Sequence, residues 1–134
     1  MNQTAQEIFD TVAEHLLKQG KQSKAPGDKG CRYRGPDGTK CAVGVLIPDA
    51  DYRKWMDAGH SIPVDTLLEG RDANRKKHRV PASIKALVPH QCLLATLQGA
   101  HDNHWNWDNQ MQPMRERLRM IAKRFNLDAY KVPA

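Results

Sequence analysis

The sequence predicts a small α+β protein that is mostly helical: an N-terminal helix, a β-hairpin, then several helices around one core. Three observations carry that expectation. Ile8, Phe9, Val12, Ala13, Leu16 and Leu17 form an apolar stripe at helical period. Cys31-Arg32-Tyr33-Arg34 and Thr39-Lys40-Cys41-Ala42-Val43 flank the turn-forming Gly35-Pro36-Asp37-Gly38. Met111, Met114, Leu118, Ile121, Ala122 and Phe125 form a second helical stripe near the C-terminus.

The first helix is expected over 4–19. Thr4 and Glu7 have capping-box spacing, Lys18 suits the C-terminal end of the dipole, and Gly20 supplies a stop. Residues 20–30 are polar and Gly-rich, and 71–80 are basic; both are expected to be mobile loops within a single domain spanning 1–134. Pro-Asp-Gly chemistry predicts the hairpin, with Arg34 facing Thr39 and Arg32 facing Cys41. A two-stranded hairpin is marginal alone, so it must lie against the helices or join a further strand. Pro48-Asp49 suggests a helix start, with Tyr52, Trp55 and Met56 inward and Gly59 at its end. Pro63 to Glu69 reads as a short helix closed by Gly70, and Pro81 to Leu87 as one or two turns. Pro89 sits at a first helical position, followed by Leu93, Leu94, Leu97, Ala100 and His101 at helical spacing. Residues 104–110 read as a loop.

The 134 residues make about one domain, long enough to bury a core without disulfides or a metal. No apolar run approaches the ~20 residues of a membrane span. The N-terminus lacks the basic and apolar regions of a secretory signal. Three cysteines, Cys31, Cys41 and Cys92, read as reduced thiols. The expectation is a cytoplasmic protein with no membrane partner and no cofactor.

The net charge is +6, and it is segregated. Residues 18–40 hold seven Lys/Arg against two Asp; 71–79 hold five against one acid, as do 115–124. Basic blocks that share a face would bind phosphates; scattered ones would only aid solubility. The candidate contacts to nucleic acid or an acidic partner are Arg32, Arg34, Lys40, Arg75, Lys76, Lys77, Arg79, Arg115, Arg119 and Lys123. No helix-turn-helix, RRM or zinc-finger pattern accompanies them.

Two further constellations compete with this one. A thiol enzyme would use Cys41 with His101, oriented by Asp102, because a Cys–His pair in hydrogen-bond reach makes a thiolate. A protein–protein inhibitor would use Trp105 and Trp107 as loop anchors, although loop tryptophans more often plug a core. Cys31, Cys41, His101 and His104 are weak metal candidates, since no C-x-x-C or H-E-x-x-H is present. Nucleotide-binding and serine-hydrolase motifs are absent.

The stretch Cys31-Arg32-Tyr33-Arg34-Gly35-Pro36-Asp37-Gly38-Thr39-Lys40-Cys41-Ala42-Val43-Gly44-Val45-Leu46-Ile47-Pro48-Asp49 resembles the centre of a family of small, functionally unassigned proteins from bacteriophages, prophages and bacteria. Glu7-Ile8-Phe9-Asp10 and Leu93-Leu94 through His101-Asp102 are similar to its opening and close, so the resemblance spans roughly 6–127. It implies phage-type biology in a host cytoplasm and carries no catalytic residues over. The expected function is binding, to nucleic acid or a host nucleoprotein, with inhibition of host machinery or defence as one form it would take. The enzyme and inhibitor readings remain alternatives.

Overall fold

The computed structural model describes residues 3–24, 30–58 and 62–133. Among the described residues five α-helices carry the architecture: α1 (Ala5–Gln19), α2 (Val64–Glu69), α3 (Ala82–Lys85), α4 (Gln91–Asp102) and α5 (Gln112–Arg124). Single 3-10 turns fill much of the chain between them.

α1 forms as its sequence dictates. Glu7 N–H donates to Thr4 Oγ1 at 3.1 Å, and Thr4 N–H donates to Glu7 Oε1 at 2.9 Å. Gly20, at φ +72°, ends the helix in the left-handed region. Ile8, Phe9, Val12, Ala13 and Leu16 are buried. They pack with Leu93, Leu94, Leu97 and Ala100 of α4 and Met114, Leu118, Ile121 and Ala122 of α5 in one continuous core. α2 lies against α4 and buries Val64, Leu67 and Leu68. The C-terminal segment folds back on α1: Asp128 and Gln6 exchange two hydrogen bonds, Tyr130 Oη donates to Asp10, and Val132 is buried.

The β-hairpin is overturned, and with it the α+β class. Among the described residues the regular structure is helical; pairing is limited to two isolated bridges, Lys24–Cys31 and Arg71–Lys77. The reason is visible in the backbone donors of 32–43. Arg32 N–H donates to the Ser23 carbonyl, and Tyr33 and Arg34 N–H both donate to the Asp57 carboxylate at 2.9 Å. Lys40 N–H donates to Gln19 Oε1 and Val43 N–H to Gln98 Oε1. The Ser23 carbonyl and side chains from distant elements take the donors a ladder would have used. Only the tip behaves as a turn, with Gly35 N–H on the Thr39 carbonyl and Asp37 at φ +60°.

Past this arch of residues 31–43, Gly44 passes so close to the chain that a Cβ would overlap the Tyr33 carbonyl. The Pro48 segment is two 3-10 turns, Asp49–Asp51 and Lys54–Met56, rather than one helix. Met56 is buried, while Tyr52 and Trp55 pack half-buried on the core. Gly59 and residues 25–29 of the expected 20–30 loop lie outside the described residues. No helix in the described chain is long and apolar enough to cross a membrane.

Candidate functional site

The structure brings Cys31, not Cys41, to the His101–Asp102 pair. One ligand atom from each of Cys31, His101 and Asp102 lies within 4.8 Å of the others. Cys31 enters from the end of the 20–30 segment; His101 and Asp102 close α4. A cavity of about 290 Å³ opens beside them, lined by Cys31, Tyr33, Cys41, Ile62, Gln98 and Asp102 among others.

The hydrogen bonds fix what this trio can do. His101 is fully buried, and its Nε2 accepts the Ser23 N–H at 2.9 Å. A nitrogen that meets a backbone N–H must carry the lone pair, so the ring proton sits on Nδ1. That Nδ1–H donates to Asp102 Oδ1 at 2.8 Å, and Gln98 Nε2 donates to the same oxygen at 2.9 Å. Burial alone would raise the Asp102 carboxyl, but hydrogen bonds from His101, Cys31 and Gln98 outweigh it and hold the group below the usual carboxylate range. His101 therefore ties Ser23 to Asp102.

A metal does not fit this donor set. An ion on His101 Nδ1 would strip the ring's only proton while Ser23 N–H still occupies Nε2. Metal-bound histidines instead donate through the second nitrogen. Of the other metal candidates, Cys41 and His104 stand outside the cluster. His104 lies tilted against the Trp105 ring at 4.6 Å.

The geometry also withholds base chemistry from His101, because its one lone pair is occupied. Cys41 is buried, its Sγ accepts the Gly44 N–H at 3.3 Å, and burial pushes its thiol up. A small buried hydrophobe describes it better than a nucleophile.

The basic candidates divide sharply. Arg34 donates to the Gly44 and Ile47 carbonyls, pairs with Asp49 at 3.0 Å and lies over the Tyr52 ring at 5.2 Å. Arg32 donates to the Asp57 carbonyl, and Lys40 lies 3.8 Å from Asp49. These three serve the fold. Residues 71–79 do the opposite. Asp72 Oδ1 accepts the N–H groups of Asn74 and Lys76, and its Oδ2 meets His78 Nε2 at 2.8 Å. With the block's one acid so occupied, Arg71, Arg75, Lys76, Lys77 and Arg79 are all exposed. They form no ion pair among the described residues. On α5, Arg115 donates to the Gln110 carbonyl, Arg119 to the Pro133 carbonyl, and Lys123 stands exposed.

The two loop tryptophans also part. Trp107 Nε1–H donates to the His101 carbonyl at 2.8 Å, and its ring meets the His101 ring edge-on at 5.5 Å. It plugs the core. Trp105 is 65% exposed on a turn that packs against α5.

The sequence carries no pointer to Asp57, whose carboxylate organises the arch, or to Arg53 and Lys85, two exposed cations that line a recess with Arg79 of the second basic block. Neither cation lies in a dense basic run, so charge counting gave no signal for them. Comparison with protein-family models, with curated proteins and with solved structures returned no match.

Proposed function

We propose that the protein binds nucleic acid, free or within a host nucleoprotein, through the exposed cations of 71–79. The observation that carries this reading is the second basic block itself. Its five cations are unneutralised and stand on a turn closed by hydrogen bonds from Asp72 N–H to the Lys76 carbonyl and from His78 N–H to the Gly70 carbonyl. Cations held outward on a hydrogen-bonded turn neutralise backbone phosphates and release counterions, a sequence-independent interaction. The phage-type resemblance suits a small protein that acts by docking on host machinery.

The test is fluorescence anisotropy with single-stranded RNA and duplex DNA across a salt series. The logarithm of the binding constant should fall linearly with the logarithm of salt concentration. The combined Arg75→Asn, Lys76→Gln and Lys77→Gln variant should weaken binding across sequences alike. Binding that ignores salt, or survives the triple variant unchanged, overturns the reading.

The exposed Trp105 favours a second reading, a protein interface anchored by that ring. A pull-down from host lysate with and without nuclease separates the two, because a direct protein contact survives nuclease.

A further inference from the structure

We propose that the recess between the 51–53 segment and α3 is a phosphate-binding site, seated by Arg53, Arg79 and Lys85. The recess holds about 350 Å³ and is lined by these three cations with Asp51 and the chain at Val80, Pro81 and Ala82. That volume is at the lower end of small-ligand sites.

Three separate chain segments supply the cations, and two clamps bring them together. Trp55 and His78 stack at 4.7 Å with planes 6° apart. Arg53 precedes Trp55 by two residues and Arg79 follows His78 directly, so the stack sets both arginines at one recess. The second clamp is the Ser83 hydroxyl, which donates to Asp51 Oδ2 at 2.6 Å. It draws α3, and Lys85 with it, onto the same segment.

The recess holds more positive charge than its own acid offsets: Asp51 lines it and accepts the Ser83 hydroxyl through Oδ2, leaving three cations against one carboxylate, and none of the three cations lies within ion-pair distance of an acid among the described residues. Arg53 is preorganised: its Nη1 donates to the Ala50 and Tyr52 carbonyls at 2.8 and 3.1 Å. Its Nε and Nη2 remain as a two-donor edge of the kind that grips a phosphate. Three like charges held around one recess repel each other, and an anion in the recess relieves that repulsion. A phosphate with two or more oxygens to share matches the donor count; a single chloride does not use the fork.

The inference deepens the nucleic-acid reading by giving one phosphate a fixed seat, and it is testable without a nucleic acid. Backbone amide and arginine Nε–H signals are followed by NMR while inorganic phosphate is added at constant ionic strength. Saturable shifts confined to 51–53 and 79–85 are expected. Arg53→Gln and, separately, Lys85→Gln should each weaken the response at least fivefold, whereas the Arg75/Lys76/Lys77 variant should retain it. Shifts that do not saturate, that chloride reproduces, or that both single variants keep overturn the site. A failed phosphate titration leaves the salt-dependent nucleic-acid measurement standing, so the two ideas fall separately. A second arm compares 5′-phosphorylated with 5′-hydroxyl oligonucleotides. Competition of inorganic phosphate with the phosphorylated end alone assigns the seat to a terminal phosphate, and equal competition with both assigns it to the backbone; either supports the site.

Discussion

The arch at 31–43 and the turn at 71–79 are both rich in arginine and lysine, yet they use the charge in opposite ways. In the arch, carboxylates and carbonyls surround the cations. Asp57 accepts two backbone N–H groups and the Tyr52 hydroxyl, while Asp49 sits beside Arg34 and Lys40. In the turn, the single acid is used by the backbone and His78, so the cations face outward. What separates a structural arginine from a binding one is therefore where the nearby acceptors point. Density of charge along the chain does not report that.

The largest effect should come from breaking the arch. Asp57→Ala strands the N–H groups of Tyr33 and Arg34 and the Tyr52 hydroxyl. Leaving several partly buried polar groups unsatisfied should cost about 3 kcal/mol or more, read from urea unfolding. Arg34→Ala should cost about 2 kcal/mol, because two carbonyls lose a charged donor and the Tyr52 face loses its cation. If Arg34→Ala instead leaves stability unchanged and weakens nucleic-acid binding, the contrast between the regions is wrong. Next in size is the turn: the Arg75/Lys76/Lys77 variant should change stability by no more than about 0.5 kcal/mol. The same variant should flatten the salt slope of nucleic-acid binding by about two to three phosphates.

A smaller, pH-dependent effect should separate the regions again. His15 Nε2–H donates to the Lys40 carbonyl at 2.8 Å, next to the Gln19 contact with the Lys40 N–H. Burial lowers the His15 pKa, only partly offset by that hydrogen bond. The unfolded histidine takes up a proton near pH 6.5, while the folded one resists until lower pH. The contribution is thus complete above about pH 6.5 and is lost as pH falls through the folded value. The urea midpoint of the wild type should drop more between pH 7.5 and 5.5 than that of His15→Gln. Equal drops would show that His15 is not coupled to the arch.

The sequence was most informative where structure is local. The Thr4–Glu7 box, the stripe from Ile8 to Leu16 and Gly20 define α1 to within a residue, and Leu118, Ile121 and Ala122 identify the buried face of α5. It misled where the partner is remote. Pro36-Asp37-Gly38 does make a turn, but the donors beside it go to Gln19, Asp57 and Gln98, and no local pattern encodes those choices. The candidate site shows the same limit. The sequence points to His101 and Asp102, but the cysteine beside them is Cys31, and the tautomer that decides their chemistry is set by Ser23, 78 residues away. Arg53 and Arg79 line one recess beside a stack between Trp55 and His78, two rings that nothing in the sequence pairs.

The smallest expected effect is at Trp105. Its ring is 65% exposed and its turn is capped through the Asn103 side chain accepting the Trp105 N–H, a bond that Ala keeps. Trp105→Ala should therefore leave stability within about 0.5 kcal/mol. If nucleic acid tracks the 71–79 turn and the neighbouring recess, affinity should change less than twofold. A base stacked on an aromatic ring is worth about 1–3 kcal/mol, so a tenfold loss of affinity, read by anisotropy, would route a single strand across the 104–107 turn as well. That result would extend the binding surface from the turn toward α5, whose exposed Arg117 and Lys123 would then become the next residues to neutralise.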